Sequence, residues 1–489
     1  MNRGLHKLIC LSGAALCACV GPNFHRPAPP SADRYTEEPL PPATASADTP
    51  DGAAQRFLAS ADVPRNWWTL FGSPDLDALV EQTLRANPSV AAAQAALRQA
   101  RENTAAQRGS YFPTVQGSFD ASRQRDATGV LSPTLTSGTA LYNLYTPQVT
   151  VSYVPDIFGA NRRAVESLAA QEESMRYQLD ATYLTLTSNV VAAAIQEAQL
   201  REQLAATTRV VTLERDAVGL LRRQLELGSV AEGDVFAQEA ALAQLEATLP
   251  PLNRQLQQTR DQLAALTGHL PANFSETPLK LDELQLPADL PIGVPSQLVE
   301  RRPDVRAAEA LLHSATAQVG VAIANMLPQL NITGNLGSSA TATGDLFRAG
   351  TNFWSVGASL SQTLFAGGTL VHRKRAAEAA MDQAGAVYQS TVLNAFQNVA
   401  DALHALDTDA DAIRAASHAE IASQKSFDVA RHQLELGSVS YLALITAEQS
   451  YEQAVVALIQ VRANRLADTA ALFQALGGSV APIPTAHSR

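Results

Sequence analysis

The sequence predicts an α+β protein built as two tandem structural repeats, each a short helix, two strands, a very long helix, a tight turn and a return helix. Three observations lead there. First, RRQLELGSV at residues 222–230 returns as RHQLELGSV at 431–439, eight of nine positions identical and 209 residues further on. Second, apolar spacing switches in each half from the helical period to strict alternation and back. Third, hydrophobic residues are 46% of 489 but aromatics only 6%, so much of the apolar content is Ala and Leu, which suits narrow helix seams rather than a thick core.

The N-terminus reads as processed. Arg3 and Lys7 precede a short apolar run from Leu8 to Leu16, too short to span a bilayer, so residues 1–18 form a secretory signal. Removing them takes the net charge from −11 to −13, which argues against nucleic acid as a partner. The only cysteines are Cys10, Cys17 and Cys19, so cleavage before Cys19 leaves no internal disulfide. Leu16-Cys17-Ala18-Cys19 resembles a bacterial lipobox, which makes Cys19 the lipid anchor. Cys17 fits less well, because Leu16 would fill the position that should be small. Val20 follows, not the Asp that retains lipoproteins in the inner membrane of enteric bacteria.

Residues 22–61, rich in Pro, Ala and Asp, complete a 19–61 segment of lipidated N-terminus and extended tether. The first repeat spans 62–268. Trp67-Trp68 and Phe71-Gly72 begin ordered structure, and Ser73-Pro74-Asp75 caps a helix bearing Leu76, Leu79, Val80 and Leu84. Asn87-Pro88-Ser89 breaks it, and an Ala-rich helix runs from about Val90 to Arg108. Val115, Gly117, Phe119 and Ala121 then alternate with polar residues. After a loop with Gly129, Pro133 and Gly138, so do Val149, Val151 and Tyr153. From Phe158-Gly159 to Gly228 nothing breaks a helix strongly, giving a rod of roughly 100 Å. Leu200, Leu204, Thr207, Val211, Glu214, Val218, Leu221 and Leu225 mark a coiled-coil seam with two polar members. A return helix starts near Ala231, is expected to kink or break at Pro250-Pro251, and stops near Gly268.

Residues 269–300 read as an irregular, proline-rich connector. The second repeat, 301–477, restates the first. Asn87-Pro88-Ser89-Val90 becomes Arg302-Pro303-Asp304-Val305, and Tyr111-Phe112-Pro113 becomes Met326-Leu327-Pro328. Strand patterns recur at Leu330, Ile332, Gly334 and Leu336, then at Trp354, Val356, Ala358 and Leu360. A second long helix runs to Leu436, and its return helix carries Leu442, Ile445, Val456, Ile459, Leu466 and Phe473. Residues 478–489 form a loose tail. Two halves supply four strands per chain. A lone four-stranded sheet has two open edges, forbidden in lipid, so neighbouring copies close it or it stands in water. A soluble sandwich would show the same alternation.

Taken together, several motifs resemble the TolC-type outer-membrane factors, in the lipoprotein branch that serves resistance-nodulation-division efflux systems. They are Cys19-Val20-Gly21-Pro22-Asn23-Phe24, Trp67-Trp68-Thr69-Leu70-Phe71-Gly72, Tyr153-Val154-Pro155-Asp156-Ile157-Phe158-Gly159, the run from Glu300 to Glu309, Phe365-Ala366-Gly367-Gly368 and both Leu-Gly-Ser turns. The resemblance implies a homotrimer whose strands make one β-barrel in outer-membrane lipid. Its coiled-coil helices form a periplasmic barrel, with a mixed equatorial segment. It also implies a periplasmic adaptor (membrane fusion) protein and an inner-membrane pump as partners. The cargo would be drugs or other small toxic compounds carried from periplasm to exterior.

The resemblance places adaptor docking at Leu227, Gly228 and Ser229 and at Leu436, Gly437 and Ser438. Turn chemistry alone explains the same residues: Gly ends one helix at positive φ and Ser caps the next. In relatives, aspartates after the second turn ring the aperture. Here those positions are Ala443 and Thr446, a departure from the pattern. The first repeat instead offers Glu232 and Asp234 as an acidic gate, although acids in a first helical turn also complement the helix dipole. Tyr441 and Leu444 are candidates for an apolar plug, and equally for seam packing. No catalytic motif appears, and no metal site or cofactor is expected. Two alternatives remain: a duct for type I protein secretion, and a structural periplasmic coiled-coil lipoprotein whose strands form a soluble cap.

Overall fold

The computed structural model describes residues 20–58, 62–125, 141–275 and 278–478. The signal segment, Cys19, the loop with Gly129, Pro133 and Gly138, and the tail from 479 lie outside them. The chain forms two compact units. One comprises residues up to Arg26, Arg98–Ser174 and Glu309–Val387; the other comprises Pro27–Leu97, Met175–Ala308 and Tyr388 onward.

The first unit holds one antiparallel sheet of four strands, in the order β2 (Thr114–Arg125), β3 (Leu141–Tyr153), β5 (Gln329–Ser338) and β6 (Asn352–Ser361). The register pairs Val115 with Val151, Val149 with Leu336, and Leu336 with Trp354. Alternation therefore puts these residues, with Phe119, Val356 and Leu360, on one face. That face is open: Trp354 is 76% exposed and Val356 75%. The opposite face carries Thr150, Ser152, Asn335 and Ser355. Pro147 lies inside β3, where it cannot donate to a ladder. The β3–β5 pairing stops at Gln148 and resumes only at Tyr145, bonded to Ala340. Gly337 is required there, because a Cβ would come within 2.6 Å of the Pro147 carbonyl oxygen.

Helical parts of this unit pack through small residues. α2 (Pro88–Arg108), α3 (Ala160–Glu226), α7 (Pro303–Ala324) and α8 (Thr369–Glu435) all contribute. Ser167, Ala170, Ser314 and Ala317 are buried. Ser167 and Ser314 bond each other at 2.8 Å and take further bonds from Gln318 and Gln171.

The second unit contains α1 (Pro74–Ala86), α4 (Glu232–Glu246), α5 (Leu249–Leu266), α6 (Pro295–Arg301) and α9 (Tyr441–Ala475), with the remainder of α2, α3, α7 and α8. Trp67, Phe71 and Phe473 form its aromatic centre, among Leu76, Leu281, Leu290, Leu403, Leu406 and Leu466. Ser73 caps α1 by accepting from the Leu76 amide at 3.4 Å. Asn87 separates α1 from α2 and donates to the Leu266 carbonyl at 2.8 Å. Along α3, Leu200, Thr207, Val211, Glu214, Val218 and Leu221 are buried.

Three expectations need correction. The break in the return helix falls at Ala247 and Thr248, ahead of Pro250-Pro251. The prolines open α5, where their missing amide protons are not needed. The connector is not irregular throughout, since it contains β4 (Asp289–Pro291) and the start of α6. The tether is not free of structure either. Its β1 (Arg56–Leu58) pairs in parallel with β4.

Buried arginines of α9 explain this docking. Arg465, fully buried, donates to Thr44 Oγ1 at 2.9 Å, the Ala53 carbonyl at 2.9 Å and Gln55 Oε1 at 3.3 Å. Arg462 bonds Asp51 at 2.9 Å and Asp282 at 2.7 Å. Such charges are tolerated inside only when nearly every donor finds an oxygen.

Beside Arg465, Asp409 of α8 lies against Asp468 of α9. Burial first, and the neighbouring carboxyl second, push Asp409 up to about 7 from 3.8, with Arg465 pulling the other way. A carboxyl raised in the fold contributes stability that is complete below its unfolded value and is lost as pH rises through about 7. Lowering the pH from about 8 to about 6 is therefore expected to raise Tm. Asp409→Asn is expected to flatten that slope and raise Tm at the upper end. Thermal unfolding across the range checks it, and an unchanged slope would refute the assignment.

Candidate functional site

The two Leu-Gly-Ser turns close α3 and α8 in the same way. Gly228 (φ +72°) and Gly437 (φ +70°) sit in the left-handed region. The Ser229 amide donates to the Gln224 carbonyl at 2.9 Å and the Gly228 amide to Leu225 at 2.8 Å. Ser438 and Gly437 repeat this on Gln433 and Leu434, each at 2.9 Å. This is the Schellman arrangement, which needs a residue tolerant of positive φ. A Cβ would meet nothing within 4 Å at either glycine, so the need is conformational and not steric.

The serines do not cap the following helices, contrary to the sequence reading. Ser229 Oγ donates to the Gln224 carbonyl at 2.8 Å and Ser438 Oγ to Gln433 at 2.9 Å. Both hydroxyls thus finish the helix behind them. The next helices are capped otherwise: Asp234 accepts from the Ala231 amide at 3.2 Å, and Ser440 accepts from Ala443 at 3.2 Å. Leu227 and Leu436 are left 82% and 70% exposed.

The remaining gate candidates fall on the first turns of α4 and α9. Glu232 and Asp234 are both exposed, and the Asp234 cap bond satisfies the dipole explanation for that residue. Tyr441 stays partly exposed and Leu444 half-buried, while the fully packed residues at this level are Val235 and Ile445. Thr446 Oγ1 donates back to the Leu442 carbonyl at 2.9 Å.

The hairpins are braced differently. Between α3 and α4, Arg222 pairs with Glu239 at 2.6 Å and Arg215 with Glu246 at 2.7 Å, one heptad apart on each helix. Between α8 and α9, Phe427 stacks parallel on Tyr451 at 6.2 Å. Arg209 of α3 reaches Glu452 of α9 at 3.1 Å. Glu214, which its spacing places on the seam, is a buried carboxylate held by the Gln238 amide. Burial raises its pKa and that bond lowers it, burial being the larger. The heptad pattern flagged its position; nothing local pointed to Glu452 as a partner of Arg209.

Among the described residues no group of His, Cys, Asp or Glu could hold a metal ion, and no helix is long and apolar enough to cross a membrane. An antiparallel sheet with an open apolar face and long hairpins ending in bare leucines suit a channel-forming subunit of an outer membrane, and comparison with known proteins shows that class. The chain belongs to the outer membrane efflux protein family, whose model matches residues 79–269 and 294–478. It is 30% identical over 438 residues to the pyoverdine export outer membrane protein OpmQ of Pseudomonas aeruginosa, covering 86% of this chain and 90% of that one. To the toluene efflux pump outer membrane protein TtgC of Pseudomonas putida it is 30% identical over 447 residues, 90% of each chain. Its fold matches the outer-membrane channel OprN with a TM-score of 0.81 at 28% identity, over 94% of this chain and 99% of that one.

Proposed function

We propose that three copies of this chain form the outer-membrane duct of a tripartite efflux pump, passing small toxic compounds from periplasm to exterior. One observation carries the reading. The sheet exposes Trp354, Val356 and Leu360 on one side and polar residues on the other, and its outer strands β2 and β6 have no further partner among the described residues. Lipid would cover the first face, water the second, and a neighbour's strands the edges. Two tandem repeats, each with a 67-residue helix, would supply a helical periplasmic barrel. Cys19 would carry acyl chains into the same membrane.

Docking of a periplasmic adaptor at Leu227-Gly228-Ser229 and Leu436-Gly437-Ser438 fits their exposure. Energy would come from an inner-membrane pump. Glu232 and Asp234, three copies each, would form an acidic ring near the turns, with Tyr441, Leu444 and Thr446 as its apolar and polar neighbours. Export of pyoverdine and of toluene is named for the two relatives above and supports small-molecule cargo. The purified protein in a planar bilayer is expected to give stepwise, cation-selective conductance. Glu232→Gln with Asp234→Asn should lower that selectivity. Unchanged selectivity in that variant would overturn the acidic ring, and a protein that never inserts into a bilayer would overturn the reading.

A further inference from the structure

Residues 20–26 occupy a built seat in the first unit. The Val20 amide donates to the Phe158 carbonyl at 3.3 Å, where the chain leaves β3 for α3. Gly21 (φ +96°) lies directly on α7, since a Cβ there would come within 2.5 Å of Gly320 Cα. Asn23 Oδ1 accepts from Arg163 Nη2 at 2.6 Å. The other arm of Arg163 donates to Glu166 Oε2 at 2.8 Å, and Glu166 Oε1 meets His313 Nε2 at 3.0 Å. The His313 ring stacks on Phe24, centroids 4.4 Å apart and planes 16° from parallel. Arg26 pairs with Glu309 at 3.1 Å.

This is more than incidental packing. Arg163 is buried, and a buried guanidinium is tolerated only where anionic and carbonyl oxygens meet its donors. Part of that requirement is met by the N-terminal segment itself. Loose, seven residues would let their first atom range over roughly 20 Å. Val20, the first described residue, is itself held at this junction.

We infer that Arg163, Glu166 and His313 form a receptor for this chain's own processed N-terminus, fixing the attachment point of the Cys19 anchor at the strand–helix junction. The inference rests on the lipid-anchor reading above. Arg163 and His313 are positioning residues: they set where the acyl chains enter the leaflet relative to the sheet.

The test uses the full chain in outer-membrane lipid, with exposed His25 replaced by His25→Cys and labelled with a nitroxide. Wild type is labelled in parallel. An acylated Cys19 leaves it no thiol, so label on wild type would sink the anchor and with it the inference. If wild type stays unlabelled, the nitroxide at 25 is expected to be strongly immobilised. Phe24→Ala or Asn23→Ala, which spare the buried Arg163–Glu166 pair, should mobilise it several-fold. Phe24→Tyr, which keeps the stack, should restore immobilisation. Arg163→Ala should mobilise it as well, with trimer content tracked in the same sample. A label equally immobile in Phe24→Ala and Asn23→Ala would overturn the seat while leaving the anchor intact.

Discussion

Val356→Arg is expected to abolish insertion of the protein into the outer membrane. Val356 is 75% exposed on β6, pairs with Gly334, and shares its face with Trp354 and Leu360. No side chain inside the chain depends on it, so a protein with this sheet in water would tolerate the change and even gain solubility. In lipid the same arginine costs about 2–4 kcal/mol near the midplane. Three copies would add that cost three times in one assembly. Ser355→Arg is the matched control, one residue along the strand and on the opposite face. It should leave insertion intact and change only conductance. Membrane fractionation and the size of the cross-linked oligomer would read both variants. Equal behaviour of the pair would exclude a barrel with this inside and outside.

Leu227→Asp combined with Leu436→Asp is expected to abolish co-purification of the adaptor while leaving the trimer at wild-type level. The physical ground is the contrast between backbone and side chain at the turns. The Schellman bonds involve Gln224, Leu225, Gly228 and Ser229 in one turn, and their counterparts in the other. They do not involve the leucine side chains, which lie largely bare. Losing such side chains therefore costs the fold little, while a partner that buries them loses up to about 1.5–3 kcal/mol for each. Gly228→Val would be the contrasting variant. A β-branched residue at positive φ strains the turn by about 1–2 kcal/mol, so stability falls along with docking. If the double aspartate variant retained the adaptor at wild-type yield, the turns would be helix stops and nothing more.

Much of this molecule is legible in the chain because the deciding physics is local. Alternation from Val115 and from Leu330 placed strands with the right faces, since period two leaves no other assignment. Two identical Leu-Gly-Ser motifs announced positive-φ turns, because only glycine takes that conformation at no cost. The docking role proposed for those turns came from the family resemblance and not from local physics. What the sequence misjudged lay one step beyond the local rule. Ser229 and Ser438 could cap forward or bond backward, and the choice depends on where the next helix starts. Pro250-Pro251 could break a helix or begin one, and the chain ahead of it decides.

The sequence alone determined the order of the long helices and of the four strands of the larger sheet, the two turns and the apolar face of that sheet, each a consequence of spacing within a few residues. Tertiary structure alone decided which distant groups meet. Thr44 and Gln55 are held by Arg465 across more than four hundred residues, β1 pairs with β4, and Arg163 grips Asn23 across 140. A hydrogen-bond donor carries no mark of its acceptor in the local sequence. Burial selects the partner, by making every unmatched charge too costly to leave alone.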